Sequence, residues 1–165
     1  MFDSSVLGVD PGVASTGLAV VARDGAAPRV VWSGTVRTPA GLAEPERLRR
    51  LHDAVRAAIA EHRPAAVALE AVRWNRNVTS AMAVSRATGV VLLAAAQAGV
   101  PVEEYGPLEV KMAVTGSGAA DKAQVRRALV RAHGLRDVPV QADAADAVAV
   151  ALCHLSQVRL RRAAR

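Results

Sequence analysis

The sequence predicts an α/β fold built on a five-stranded mixed sheet with helices on both faces. Two observations carry that prediction. Two short apolar runs, Val6–Val9 and Ala65–Leu69, each end in a single acid, Asp10 and Glu70, and the second run follows a helical pattern. After the first run come two more apolar runs on links too short for a crossover, so the first three strands form an antiparallel meander.

The first strand is Val6-Leu7-Gly8-Val9-Asp10, stopped by Pro11-Gly12. Gly17 to Ala22 is the second strand, Arg23-Asp24-Gly25 a turn, and Arg29 to Arg37 the third strand. The period then changes. Leu48, Leu51, Val55, Ala58 and Ile59 recur at helical spacing from Pro45 to His62, with Glu46 and Arg50 as an i, i+4 pair and Pro64 as the stop. Ala65 to Glu70 follows as a strand parallel to the first, because a helix connects them. Asn77 to Ala98 is Ala-rich and reads as a largely buried helix, with a dimer interface as the alternative and Gly89 allowing another backbone to approach. Val100 to Tyr105 is the fifth strand, Pro107 to Val114 a short helix, and Thr115-Gly116-Ser117-Gly118 a loop. Asp121 to Ala132 is a helix ended by Gly134, and Gln141 to about Arg162 is the last helix.

The chain of 165 residues suits one domain spanning 1–165, with residues 157–165 as an Arg-rich tail. No run of about 20 apolar residues escapes interruption by charge, Gly or Pro, so no membrane span is expected. The first five residues lack a basic start, which points to a cytoplasmic protein. A single cysteine, Cys153, excludes an intrachain disulfide and a Cys-based zinc site. Formal charge is +6 and pI about 10.9, which favours an anionic partner. Of 21 Lys and Arg residues only Lys111 and Lys122 are lysines. A compact ammonium meets a phosphate as a point charge; the alternative is chance usage.

Two parallel neighbours ending in acids bring Asp10 and Glu70 to one edge of the sheet, the carboxyl edge where open α/β sheets bind ligands. Asp143 and Asp146 share one face of the last helix. Acids in a first turn also compensate the helix dipole, and for the pair alone that reading stands beside a functional one. The rest of the helix is nearly all apolar from Ala144 to Leu152, so it buries against the sheet and turns its early acids inward. Four converging carboxylates need cations or raised pKa values. All-oxygen ligation suits Mg²⁺ or Mn²⁺, and an open acid cage beside basic surface suits two-metal phosphodiester hydrolysis.

Arg73, Arg76 and Arg86 lie in the acid-free stretch between Glu70 and Glu103. Trp74, one of four aromatic residues, sits in Arg73-Trp74-Asn75-Arg76-Asn77. It either stacks on an unpaired base or packs against the following helix. His154 and Cys153 read as core residues on the last helix. Gly8, Gly12 and Gly17 do not fit a dinucleotide fingerprint.

Together these motifs resemble the RuvC family of Holliday-junction resolvases. The resemblance runs through Val6–Gly12 with Thr16-Gly17, Leu69–Val72 with Asn77, the Arg86-Ala87-Thr88-Gly89 turn and Glu104–Pro107. It continues through Val110-Lys111, the Gly116–Gly118 loop with Lys122, and Gln141–Ala147, covering about residues 5–156. It implies an RNase H-like fold, a homodimer, and metal-dependent cutting of symmetric strands in four-way DNA junctions. It implies Asp10, Glu70, Asp143 and Asp146 as catalytic acids and ligands for two Mg²⁺ (or Mn²⁺). Lys111 and Lys122 would contact the junction, and RuvA and RuvB would be partners. Where some relatives carry an aromatic three residues after the catalytic Glu, this chain has Arg73, then Trp74. Either could take the base-stacking role, with Arg76 and Asn77 beside it on DNA. Competing readings are a non-catalytic junction-binding module, a YqgF-type nuclease acting on RNA, and an ATP-binding enzyme of the actin–sugar-kinase superfamily. The last needs two such domains and the chain is short.

Overall fold

The computed structural model describes residues 4–12, 14–25, 27–71 and 78–163. Ten elements follow in order: β1 Ser4–Asp10, β2 Ser15–Asp24, β3 Ala27–Arg37, α1 Glu44–His62, β4 Ala66–Glu70, α2 Val78–Gln97, β5 Val102–Tyr105, α3 Pro107–Thr115, α4 Lys122–Arg131 and α5 Ala142–Ala163. The strands form one sheet in the order β3-β2-β1-β4-β5. β1, β2 and β3 pair antiparallel, while β4 runs parallel to both β1 and β5, as the sequence predicts. β5 starts at Val102 because Pro101, without an N–H, precedes it.

Strand alternation sorts the side chains onto two faces. Leu7, Val9, Leu18, Val20, Val67 and Leu69 point to one face and are covered by α1 and α2. Val6, Ala19, Val21 and Ala68 point to the other, under α5 with α3 and α4 beside it. The second face is small-sided for a reason. A Cβ on Gly8 would lie 2.0 Å from the carbonyl oxygen of Ala147, and one on Gly17 1.8 Å from that of Asp143. Helix α5 therefore rests with its backbone directly on β1 and β2. A glycine inside a strand marks such an approach.

Helix α2 departs from the sequence expectation in three ways. Only one face is buried, through Ala81, Ala87, Thr88, Val91, Ala94 and Ala95, while Val78, Met82 and Leu93 are about half exposed. A Cβ on Gly89 would meet nothing within 4 Å, so the glycine accommodates no backbone of this chain. Arg86–Gly89, named above as a turn, is helical. By length and mean composition alone the helix could cross a membrane, but Arg86 and Gly89 interrupt its apolar run, as the sequence expectation has it. Here it lies against α1 and the sheet, and Arg86 Nη1 binds both carboxylate oxygens of Glu44 at 2.7 Å.

The Glu46–Arg50 pair forms at 3.1 Å. Cys153 and His154 are core residues, as expected. Burial, with Glu109 nearby, pushes the Cys153 thiol up to about 12, and Tyr105 Oη shares a hydrogen bond with His154 Nδ1 at 2.8 Å. Because the seat of α5 has no room for a side chain, Gly8→Ala is expected to lower stability by about 1–3 kcal/mol, the range for overpacking. Urea unfolding measures this; an unchanged midpoint would show that α5 does not rest on β1.

Candidate active site

The geometry of the sheet brings the acids together. Val9 pairs with Leu69, so the next residues, Asp10 and Glu70, end adjacent parallel strands at one edge. Both have even positions on strands whose even residues face α5. Asp143 and Asp146 begin α5, which Gly17 lets down onto β2 opposite Asp10. Asp10, Glu70 and Asp146 line a cavity of about 170 Å³. Lys111 from α3 and Lys122 from α4 form its basic wall, and Pro107, Val110, Val125 and Ala149 complete it. The two lysines named from composition therefore both reach the acids.

Two carboxylates already have partners. Lys122 Nζ donates to Asp146 Oδ2 at 2.7 Å. Ser15 Oγ donates to Asp143 Oδ2, and Asp143 does not line the cavity. Among the described residues no three His, Cys, Asp or Glu side chains are gathered tightly enough to hold a metal ion. Asp10, Glu70 and Asp146 thus converge on one cavity, with Asp143 beside it on Ser15.

The electrostatics show that strain. Burial, then the charges of Glu70, Asp146 and Asp143, pushes the Asp10 carboxyl up to about 7 against the pull of Lys122. Burial and Asp146 raise Glu70, opposed by Lys122 and Lys111. The hydrogen bond to Asp146 raises Lys122. A hard divalent cation fits this donor set. The donors are all carboxylate oxygens, their charge is undercompensated, and an ammonium occupies the position of positive charge beside Asp146.

Ser15 and the two glycines beneath α5 escaped the sequence reading. A glycine in each of two adjacent strands was the available signal for the seat. Nothing in the local sequence marked Ser15. Arg73, Trp74, Arg76 and Asn77 lie outside the described residues; Ala71, which precedes them, donates its N–H to the Tyr105 carbonyl at 2.9 Å.

Known proteins resemble this chain in sequence and in fold. The family model for crossover junction endodeoxyribonuclease RuvC matches residues 6–154. A RuvC from Frankia alni is 50% identical over 166 residues, covering 96% of this chain and 83% of the relative. One from Chloroflexus aggregans is 49% identical over 148 residues, 90% of each chain. The structure of Thermus thermophilus RuvC in complex with a Holliday junction substrate superposes with a TM-score of 0.89 at 39% identity, covering 95% of this chain and 96% of that one. The yeast mitochondrial Holliday junction resolvase Ydc2, at 12% identity and a TM-score of 0.68 over 95% of this chain and 80% of its own, shares the fold.

Asp10 titrates near 7 in the folded chain and near 3.8 unfolded. A raised carboxyl makes the unfolded state the weaker proton binder, so stability falls as pH rises between those values and then levels off. In metal-free buffer Asp10→Asn is therefore expected to exceed the parent in stability. The gap should widen from pH 5 to 7 and level off above, reaching a few kcal/mol at about 1.4 kcal/mol per pH unit. Thermal melts across that range test this, and a gap that shrinks with rising pH would contradict it.

Proposed function

The chain belongs to the RuvC family of crossover junction endodeoxyribonucleases, and we propose that it resolves four-way DNA junctions by paired symmetric nicks using Asp10, Glu70, Asp143 and Asp146. As a family member it is a metal-dependent nuclease of RNase H-like fold, a hydrolase acting on Holliday junctions in DNA recombination and repair. The finer reading assigns two Mg²⁺ or Mn²⁺ per site to the four acids. The observation that carries it is the cavity in which Asp10, Glu70 and Asp146 face Lys111 and Lys122.

The chain's own groups divide the work. The acids would hold the cations, which would supply activation of the attacking water and stabilisation of the leaving oxygen. Asp10 must lose its proton to serve, and added positive charge favours that ionised form. Lys111 and Lys122 point charge at the same cavity and are suited to the phosphates flanking the scissile bond. The segment Arg73-Trp74-Asn75-Arg76-Asn77 follows Glu70 in the chain and is proposed to stack on and bind the junction strand.

Symmetric nicks need two active sites related by a two-fold axis. The outer stripe of α2 offers an interface for a homodimer. Val78, Met82, Gly89, Leu93 and Ala96 lie at helical spacing, all exposed, with open space over Gly89. RuvA and RuvB as partners, and a cytoplasmic location, rest on the family and the sequence alone.

With Mg²⁺ or Mn²⁺, a synthetic four-way junction should be cut in preference to matched duplex DNA or RNA, and Asp10→Asn should abolish cutting while binding the junction as tightly or more so. Full cleavage by Asp10→Asn would sink the catalytic assignment. Preferential cutting of RNA would favour the YqgF-type reading, and binding with no cutting by the parent chain the non-catalytic one. Sedimentation addresses the dimer. Leu93→Glu should leave a folded monomer that has lost paired nicking; a Leu93→Glu protein that remains dimeric removes α2 from the interface.

A further inference from the structure

We propose that Ser15 is a positioning residue for Asp143, setting the orientation in which that carboxylate meets a cation. The inference rests on the reading of Asp143 as a ligand, given above. Ser15 is the first residue of β2, two before Gly17, so both face α5. Its Oγ donates to Asp143 Oδ2. The backbones on either side are fixed by close approach. A Cβ on Gly12 would lie 2.0 Å from the Ser15 carbonyl oxygen, and one on Gly17 1.8 Å from the Asp143 carbonyl oxygen. The backbones that carry the hydroxyl and the carboxylate are therefore both set by close packing at the sheet edge.

The chemistry of the contact differs from that at Asp146. Lys122 neutralises its carboxylate and competes with any cation there. A serine hydroxyl engages one oxygen without cancelling the charge, so the other oxygen can serve a cation at full strength. A neutral donor on one oxygen of a ligating carboxylate is the arrangement by which surrounding groups fix first ligands, and losing such a partner weakens metal binding by about 10–100-fold.

The test pairs two side chains of one shape. Ser15→Thr keeps the hydroxyl and Ser15→Val removes it, and both are suited to a strand. Mn²⁺ binding to the full chain, followed by the signal of free Mn²⁺, should be within about two-fold of the parent for Ser15→Thr and about ten-fold weaker for Ser15→Val. Ser15→Ala should match Ser15→Val without the added volume. Junction affinity in metal-free buffer should be unchanged throughout, and cleavage by Ser15→Val should recover at high Mn²⁺. Parent-like Mn²⁺ binding by Ser15→Val and Ser15→Ala overturns the proposal, as does an equal loss in Ser15→Thr, which would mark a packing effect. Asp143→Ala in the same titration separates the two levels. If it binds Mn²⁺ like the parent, the ligand reading fails and the proposal with it; if it binds weakly while Ser15→Val does not, only Ser15 is misassigned.

Discussion

Helix α5 lies with its backbone against the sheet because Gly8 and Gly17 leave no Cβ beneath it. The acid edge follows from that contact. Were the helix held off by ordinary side chains, about 10 Å from the sheet, Asp143 and Asp146 would stand away from Asp10 and Glu70. Burial supplies the force. Val148, Val150 and Leu152 are fully enclosed, each stabilising by about 1.5–3 kcal/mol. This burial opposes the cost of gathering Asp10 and Glu70, whose carboxyls are both pushed up.

Much of this was legible in the chain, and the exceptions share a cause. Val6–Asp10 and Ala65–Glu70 announced buried strands ending in acids because a short apolar run between chain breakers has few other readings. The apolar body of α5 announced that Asp146 would face the sheet edge, where it lines the cavity, while Asp143 stands beside it on Ser15. Helix α2 was misjudged because an apolar residue against the sheet and one facing outward are the same letter. Ala94 is buried and Leu93 half exposed, and periodicity is weak where both faces are apolar. Gly8 and Gly17 carry no local sign of the helix they seat, since their partners, Ala147 and Asp143, are more than a hundred residues away. Ser15 gave no local signal for the same reason: its meaning lies in Asp143.

The basic groups divide by chemistry as well as position. Arg49, Arg50 and Arg86 bind Glu46 and Glu44, and Arg49 does so with the two-nitrogen fork that matches a carboxylate. Both lysines line the cavity. An arginine there would offer a fixed fork to carboxylates that, as proposed ligands, would have to turn to cations. A lysine offers one mobile charge that can swing from an acid to a phosphate.

That mobility bears on the ion pair at Asp146. The Lys122 side chain is 78% exposed and that of Asp146 23%, and an ion pair with so exposed a partner contributes only about 0.2–1 kcal/mol. Lys122 offsets the repulsion that the other acids exert on Asp10 and Glu70. On the proposed reading a divalent ion would displace a contact this weak at little cost, and the ammonium would remain beside the same cavity, suited to a DNA phosphate. On that reading the hydroxyl of Ser15 on Asp143 and the ammonium of Lys122 on Asp146 would be complementary. The first would keep a ligand aimed, and the second would screen its neighbour's charge.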